Sequence, residues 1–452
     1  MLGLEPSIFI LFIVCMLAVC TFEFVNGFHD TANAVATVIY TGALKPRVAV
    51  IWSGFFNFLG VLAGGVSVAM GIVNLLPLGD IMAIGMAESI SMVIALLLSA
   101  ILWNLGTWYL GIPCSSSHTL IGSLLGVGIV FHYMHGGTGV NWGKAQDIGL
   151  SLLISPLFGF ALSIVLMFIG RQLLKNNKQI FKEPEEGSTP PTWIRAILIT
   201  TCTLVSFFHG SNDGQKGVGL LLIVLMTFFP LKYALNETFD ANKSLESVIK
   251  IEQVLQKENK ADVLPKLIAL ENSITDYQHG ASKENVFAIR NNINKASKQI
   301  SNELSLEGNF EFDDSKSILK QESKKLSGVV EYAPYWAILM ISISLGLGTM
   351  IGWKRIVVTI GEKIGKRHLT YAEGATAEIV AATTIGLSTG LGLPVSTTHV
   401  LSSGVAGAMT ASKGVKNLQP GTIKTIAIAW VLTLPVTILM AGGLFWFFQL
   451  LI

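Results

Sequence analysis

Residues 24–40 read FVNGFHDTANAVATVIY and closely follow an apolar run, SIFILFIVCMLAVC at 7–20, that suits a lipid bilayer. The polar side chains within this stretch are those of Asn26, His29, Asp30 and Asn33. In hydrocarbon every backbone N–H and C=O must be paired, and an acid costs roughly 3 kcal/mol or more to insert. We therefore expect this stretch to break a membrane helix where it lines a cavity or is buried in protein.

The composition of the whole chain indicates a membrane protein. Of its 452 residues, 51% are hydrophobic and 13% are charged, and the mean hydropathy is +0.59. Apolar stretches long enough to cross hydrocarbon recur, for example SMVIALLLSAILWNLGTWYL at 91–110 and WVLTLPVTILMAGGLFWFFQLLI at 430–452. The expected fold is an all-α polytopic membrane protein with roughly 10–12 membrane segments.

Charge and cysteine content exclude several other classes. The net charge of +2 is too small to indicate a nucleic-acid partner. The first apolar run lacks a basic segment before it and a small-residue cleavage site after it, so we expect it to be retained. The four cysteines lie in or beside apolar segments, as small hydrophobic residues do, and predict neither disulfides nor a metal site.

Two polar stretches divide the chain. The linker at 176–193 separates a first membrane repeat, 1–175, from a second, 194–452. A polar insert at 236–330 interrupts the second repeat, and its apolar residues recur at helical spacing. We expect the insert to be a water-exposed helical appendage.

The two membrane regions repeat each other in two places. NGFHDTANAV at 26–35 matches HGSNDGQKGV at 209–218, and we call these the first and second A motifs. GIPCSSSHTLIGSLLGVG at 111–128 matches GLPVSTTHVLSSGVAGAM at 392–409, and we call these the first and second B motifs. The pattern predicts a duplicated membrane unit.

The spacing of the motifs agrees with an insertion in the second copy. Asp213 lies 183 residues after Asp30, whereas Pro394 lies 281 residues after Pro113. The second offset is larger by about the length of the polar insert. The order is therefore A, B, then A again, insert, and B again.

Basic residues predict how the two copies are oriented. The stretch 352–368 contains five Lys or Arg residues, whereas the equivalent stretch at 71–87 contains none. Because short basic loops stay on the cytoplasmic side, the two stretches should lie on opposite sides of the membrane. Inverted repeats with broken or re-entrant helices are typical of secondary transporters, whose site lies at the repeat interface.

The B motifs have the chemistry of an anion site. Each contains Gly-x-Pro followed by hydroxyl residues, SSSHT or STTHV, which we expect at the N-terminal end of a new helix. Free N–H groups and the helix dipole attract an anion there. Ordinary N-capping explains one such motif, but two facing copies that both contain a histidine, His118 and His399, favour a small oxyanion.

The motifs resemble those of the Pit-type inorganic phosphate transporter family. GFHDTANA at 27–34 and GSNDGQKG at 210–217 are similar to its GANDVANA sequence, and GIPCSSSH and GLPVSTTH to its Gly-x-Pro-x-Ser-x-Thr-His sequence. The resemblance covers the whole membrane part and is closest to bacterial low-affinity phosphate permeases. It implies cation-coupled phosphate transport across a bacterial inner membrane. It also implies that phosphate and the coupling ion are surrounded by Asp30, Asn33, Asp213, Ser115, Ser116, Ser117, Ser396, Thr397 and Thr398.

Two departures from the family pattern bear on the coupling ion. His29 and Lys216 replace the two amide residues of the pattern, one in each copy. An ammonium repels a cation, and Lys216 is spaced to pair with Asp213 on one helical face. We therefore assign Asp30, Asp213, His29 and Lys216 to the coupling ion and favour protons over sodium. Further candidate site residues are Asn26, Asn212, Gln215, His118, His399 and Glu378.

The function predicted from sequence is a low-affinity phosphate:proton symporter with no cofactor. The sequence leaves open whether phosphate travels free or as a neutral complex with a divalent metal, whether a homodimer forms, and whether metal ligands exist. Sodium coupling or another oxyanion such as sulfate is the alternative. A membrane-embedded hydrolase using Ser117 or His118 with Asp30 is disfavoured because every candidate is duplicated, and we expect no enzyme. Buried acids argue against a passive channel.

Overall fold

The computed structural model describes residues 3–185, 189–306, 310, 312–358 and 363–452, and within them the regular secondary structure is helical. The first nine α-helices are α1 (Pro6–Tyr40), α2 (Pro46–Ala63), α3 (Ser67–Val73), α4 (Leu78–Ile84), α5 (Met86–Tyr109), α6 (Ser116–His135), α7 (Trp142–Leu173), α8 (Thr192–Phe228) and α9 (Pro230–Tyr233). The remaining ones are α10 (Ala241–Lys257), α11 (Leu264–His279), α12 (Lys283–Ser305), α13 (Asp313–Val330), α14 (Tyr335–Thr349), α15 (Lys354–Val358), α16 (Tyr371–Gly390), α17 (Thr397–Lys413) and α18 (Pro420–Gln449).

Several of these helices can cross a membrane. Within the described ranges, seven are long and apolar enough, namely α1, α2, α5, α6, α7, α8 and α18. The number rises to nine if α3 with α4, and α13 with α14, each form one span. The all-α polytopic fold is thus confirmed. The number of such spans is lower than the predicted 10–12, because α17 has only 17 residues and α16, which contains Glu373 and Glu378, is too polar to be included.

The chain divides into two compact units. The larger unit comprises Met1–Leu76, Ser91–Leu221 and Pro334–Ile452, and the smaller unit comprises Pro77–Ile90 and Leu222–Ala333. Both A motifs and both B motifs lie in the larger unit. The inverted relation of the two repeats and their boundaries stay predictions.

The A motifs do not break their helices, so that expectation was wrong. Helix α1 runs unbroken through 26–35, and α8 runs unbroken through 209–218. The helical backbone pairs its own N–H and C=O groups, so the polar side chains cost no backbone hydrogen bonds.

The glycines of the A motifs serve close helix packing instead. A Cβ on Gly27 would overlap the carbonyl oxygen of Leu345 in α14, and one on Gly210 would overlap that of Asn57 in α2. Gly348 of α14 is tight against α1 in the same way, and Gly60 of α2 is tight against α8. Small residues at both surfaces let the two pairs of membrane helices approach closely.

The breaks lie at the B motifs. Helix α5 ends at Tyr109 before α6 begins, and α16 ends at Gly390 before α17 begins. Each connection starts with a glycine in the left-handed region, Gly111 at φ 68° and Gly392 at φ 67°, where other residues are strained. A proline two residues later in each motif is suited to the extended turn that precedes the helix.

Both B-motif helices are held by long membrane helices. Helix α6 packs along α18, and α17 packs along α7. A Cβ on Gly126 of α6 would overlap the carbonyl oxygen of Ile438, and one on Gly407 of α17 would overlap that of Phe160. These close contacts fix the direction in which the two helix N-termini point.

The smaller unit is built mainly from α10–α13, and buried polar side chains hydrogen-bond to backbone carbonyls within it. The Arg290 guanidinium donates to the carbonyl oxygens of Ala234 and Val330, each at 3.0 Å. Burial lowers the pKa of Arg290 to about 10, so it stays cationic at neutral pH. The Tyr332 hydroxyl donates to the carbonyls of Tyr233 and Leu235. Helix α4 packs against α12 in this unit.

Candidate functional site

The A and B motifs meet around Asp30. Its Oδ1 accepts hydrogen bonds from Thr398 Oγ1 at 2.5 Å and Asn33 Nδ2 at 3.1 Å, and its Oδ2 accepts one from Ser116 Oγ at 3.2 Å. Asn33 Nδ2 also lies 3.0 Å from Thr398 Oγ1. All four residues are at most 2% exposed. The first A motif therefore contacts both B motifs through neutral donors.

Asp213 has a cationic partner instead. Lys216 Nζ lies 2.8 Å from Asp213 Oδ1, and the expected ion pair is present. Lys216 also donates to Ser117 Oγ and to the carbonyl of Val395 at 3.3 Å. The fully buried lysine thus links the second A motif to both B motifs.

Ser116 lies between the two acids. Its Oγ is 3.2 Å from Asp30 Oδ2 and 3.2 Å from Asp213 Oδ2. A hydroxyl has one hydrogen to donate. Both contacts are satisfied together when one of the two carboxyls holds a proton and donates it to Ser116.

His209 faces both acids and was missed at the sequence level. Its Nε2 lies 3.6 Å from Asp30 Oδ2 and 3.7 Å from Asp213 Oδ2. It aligns with Asn26, which was named as a candidate, so the alignment of the A motifs could have revealed it.

Hydrogen bonds fix which nitrogen of His209 carries a hydrogen. Thr349 Oγ1 donates to the carbonyl of Leu345 at 2.8 Å and accepts from Asn57 Nδ2 at 2.9 Å. Asn57 Oδ1 is then the acceptor for His209 Nδ1–H at 2.9 Å. In neutral His209 the lone pair of Nε2 would face two carboxylates, so a proton on Nε2 or a bound cation is needed there.

The B motifs begin their helices as predicted from their hydroxyl residues. Ser115 accepts the N–H of His118 at 3.2 Å and caps α6, and Ser396 accepts the N–H of His399 at 3.1 Å and caps α17. Both hydroxyls are therefore engaged by their own helix. Thr397 is the first residue of α17 and is buried.

The two B motifs face each other. Ser117 Oγ donates to the carbonyl of Val395 at 2.6 Å. The rings of His118 and His399 lie 4.5 Å apart between centroids, and His399 stacks on Trp430 at 4.0 Å. These contacts place the two histidines beside each other, whereas Ser116 and Thr398 contact the acids.

The remaining residues of the first A motif are also buried in the cluster. His29 Nδ1 lies 3.7 Å from Asp30 Oδ1, and its Nε2 lies 3.3 Å from Thr107 Oγ1. Asn26 Nδ2 donates to Glu23 Oε2 at 3.4 Å. Glu23 is a second residue that the sequence argument missed, because it lies outside the motif.

Asn212 and Gln215 hold neighbouring backbone. Asn212 donates to Thr389 Oγ1 and the carbonyl of Leu393 and accepts the N–H of Val395, so it supports the turn before α17. Gln215 accepts the N–H of Val68 at 2.8 Å and donates to the carbonyl of Gly64 at 2.5 Å.

Glu378 is buried on α16 away from these contacts. One of its oxygens accepts a hydrogen bond from Thr201 of α8. The other has no hydrogen-bond partner in the described part of the chain.

Three groups of the cluster have the chemistry of a cation site. One oxygen of Asp30, one of Asp213 and a ring nitrogen of His209 lie within 4.8 Å of one another, and all three residues are buried. Carboxylate oxygens and imidazole nitrogen together suit divalent transition metals. The same groups, with Lys216 and the hydroxyls, can hold protons and an oxyanion.

Comparison with known proteins identifies the family. The model of the phosphate transporter family matches residues 26–441, from the first A motif almost to the end of the chain. The chain belongs to the phosphate transporter family. This confirms the resemblance inferred from the A and B motifs.

Individual relatives agree with the assignment to the phosphate transporter family. The low-affinity inorganic phosphate transporter PitB of Escherichia coli (strain K12) is 38% identical, with 98% of each chain covered. The low-affinity inorganic phosphate transporter of Buchnera aphidicola subsp. Acyrthosiphon pisum is 40% identical, with 97% of this chain and 96% of the relative covered. These names confirm that the protein is a transporter rather than an enzyme.

A solved structure supports the fold. The sodium-dependent phosphate transporter has a TM-score of 0.58 to this chain and 23% identity, covering 98% of this chain and all of that one. At this identity the similarity applies to the fold alone.

Proposed function

We propose that the protein is a low-affinity phosphate:proton symporter of a bacterial inner membrane. The observation that carries proton coupling is Lys216, whose Nζ lies 2.8 Å from Asp213 within a fully buried cluster. The low-affinity transporters to which the chain is similar favour inorganic phosphate as the substrate.

Phosphate would bind where the two B motifs face the acids. Ser116, Ser117 and Thr398 offer hydroxyls there, and the first N–H groups of α6 and α17 have no acceptor within their own helices. Helix N-termini and hydroxyls stabilise an oxyanion without an arginine. Such a site binds phosphate weakly enough to release it on the other side.

Lys216 argues against sodium at the second A motif. A sodium ion needs several oxygen ligands, whereas the ammonium already occupies Asp213, Ser117 and the carbonyl of Val395. A proton needs only one basic atom. The shared hydroxyl of Ser116 and the Nε2 atom of His209 each favour an extra proton between Asp30 and Asp213.

A second candidate is cotransport of a divalent metal with phosphate. The atoms of Asp30, His209 and Asp213 that lie within 4.8 Å of one another support it. Here the metal is cargo that travels with phosphate as a neutral complex. It would occupy the position between Asp30 and Asp213 that the extra proton occupies in the first candidate.

Uptake of labelled phosphate into proteoliposomes tests these alternatives, with pH, sodium and a divalent metal varied independently. We expect accumulation to follow an imposed pH gradient and to ignore a sodium gradient. Accumulation driven by sodium at clamped pH would contradict proton coupling. Dependence on added metal, with labelled metal entering in proportion to phosphate, would favour the complex.

A further inference from the structure

A third acid, Glu23, lies on α1 seven residues before Asp30. Because Glu23, Asn26 and Asp30 are spaced by three and four residues, they share one face of the helix. Glu23 is completely buried, and its Oε2 accepts a hydrogen bond from Asn26 at 3.4 Å. Its Oε1 has no hydrogen-bond partner among the described residues.

Helix α8 leaves room for this side chain. A Cβ on Gly217 would overlap Cγ of Glu23 and would lie 2.5 Å from its Oε1, so a side chain at this position would displace Glu23. Gly217 directly follows Lys216. The Glu23 carboxyl of α1 therefore lies beside the turn of α8 that carries the lysine paired with Asp213.

The charged and titratable groups around Glu23 come from two helices. They are Cys20 and Asp30 on α1, and Asp213 and Lys216 on α8. Helix α14, which packs along α1, contains no Asp, Glu, His, Lys or Arg, and α2 contains only Arg47 near its start.

The second copy has no such acid. The offset of 183 residues places Ser206 at the position of Glu23. Ser206 Oγ lies 2.9 Å from Ser53 Oγ and donates to the carbonyl of Cys202 at 2.8 Å. The third acid thus occurs beside the first A motif only. Unlike Asp30 and Asp213, which occupy matching positions, it is suited to a single role in the transport cycle.

We propose that Glu23 binds one proton together with phosphate and releases it to water when the site empties. This proposal rests on the proposed phosphate transport. An acid inside a membrane is costly as an anion unless it is paired, and among the described residues the Glu23 carboxyl has only the amide donor of Asn26. A proton on Glu23 removes one negative charge beside Lys216 and so favours an incoming anion. By linkage, bound phosphate favours the proton equally.

The test separates phosphate movement from proton coupling in proteoliposomes. Exchange of labelled phosphate is measured over a range of pH, with equal pH on both sides, and accumulation is measured under an imposed pH gradient. The variants are Glu23→Gln, Glu23→Asp and Gly217→Ala. Gly374→Ala is the control, because its new Cβ would likewise overlap a side chain, at Cγ2 of Thr37, but at the contact of α16 with α1.

We expect Glu23→Gln to keep exchange and to lose the part of its pH dependence that differs from that of phosphate itself. One coupled proton supports about a tenfold accumulation ratio per unit of pH gradient, so the ratio at a gradient of one unit should fall about tenfold. Glu23→Asp should restore part of it. Gly217→Ala, which displaces Glu23, should resemble Glu23→Gln, whereas Gly374→Ala should not.

A wild-type pH profile and accumulation ratio in Glu23→Gln would overturn the proposal. Loss of exchange together with accumulation would also overturn it, because Glu23 would then be needed for structure or phosphate binding. If sodium drives the wild type at clamped pH, proton coupling fails, and the pH profile of exchange still decides the role of Glu23.

Discussion

The two A motifs occupy equivalent positions in the sequence but differ in chemistry. Asp30 is held by Thr398, Asn33 and Ser116, all neutral donors. Asp213 is held by the fixed positive charge of Lys216. The acid is therefore present in both A motifs, but its partners are neutral in the first motif and include a cation in the second.

The difference predicts unequal energetic roles. Removing one partner of a buried ion pair leaves an uncompensated charge and costs about 3–5 kcal/mol. Asparagine in place of Asp30 keeps one oxygen acceptor and loses the hydrogen bond accepted by the other oxygen, which changes stability by about 0.5–1.5 kcal/mol. Asp213 should therefore matter for folding as well as transport, and Asp30 mainly for transport.

The largest expected effect follows from neutralising each acid in turn. Asp213→Asn should abolish accumulation and lower the free energy of unfolding by about 3–5 kcal/mol, because Lys216 loses its partner. Asp30→Asn should abolish accumulation in a protein that stays folded. Labelled phosphate uptake and thermal unfolding in detergent measure the two effects.

A double variant provides the control for this comparison. Asp213→Asn with Lys216→Asn removes both charges and should regain much of the lost stability but not transport. Normal accumulation in both single variants would show that the acids lie outside the transport site.

Making the two copies alike should have the next largest effect. Lys216→Asn places an amide where the first copy has Asn33, and removes the charge that repels sodium. We expect phosphate uptake to weaken under a pH gradient and to gain a measurable response to a sodium gradient. An unchanged preference for protons, measured by uptake with each gradient imposed alone, would weaken the role assigned to Lys216.

A smaller effect is expected at the hydroxyl that joins Asp30 to the second B motif. Thr398→Val keeps the shape but leaves Asp30 Oδ1 without its donor at 2.5 Å. The loss of a buried donor costs about 1–3 kcal/mol, which corresponds to a loss of phosphate uptake of roughly 5- to 150-fold. Thr398→Ser retains the hydroxyl and is the matched control, with initial uptake rates as the measurement.

The smallest effect on transport is expected outside the larger unit. Replacing residues 236–327 by a short flexible linker should leave measurable uptake, because both copies of the A and B motifs remain. Some loss of stability is expected, since α4 loses its packing against α12. Complete loss of uptake in a correctly inserted deletion variant would assign the insert a part in the mechanism.

Parts of this arrangement could be read from the sequence because they depend on local chemistry. The Lys216–Asp213 pair follows from a spacing of three residues on a helix, and the caps Ser115 and Ser396 follow from hydroxyls after a Gly-x-Pro turn. The ion pair and the caps each depend on residues within one helical turn of each other.

Other parts depend on tertiary partners and could not be read from the sequence. The same Gly27 that indicated a helix break is required by the close approach of α14, which lies more than three hundred residues away in sequence. The Glu23 side chain can lie beside α8 only because Gly217 leaves space for it. His209 could have been found, because the A-motif alignment pairs it with Asn26.

The close glycine crossings have a mechanical consequence. Helix α1 is joined tightly to α14, and α8 to α2, while Asn57 connects His209 with Thr349 across three of these helices. These four helices should therefore move as one rigid body. We expect α6 with α18, and α17 with α7, to move separately from these four helices.

Phosphate would then bind at the interface between these rigid bodies. The hydrogen bonds that cross this interface include those from Ser116 and Thr398 to Asp30, and from Lys216 to Ser117. Alternating access by rocking must break and remake them in each cycle. Spin-label distances should therefore stay constant between α1 and α14 and change between α1 and α6 as phosphate is added. A change of equal size in both would rule out this division. The hydroxyls that would bind phosphate would then not also act as the latch between the bodies.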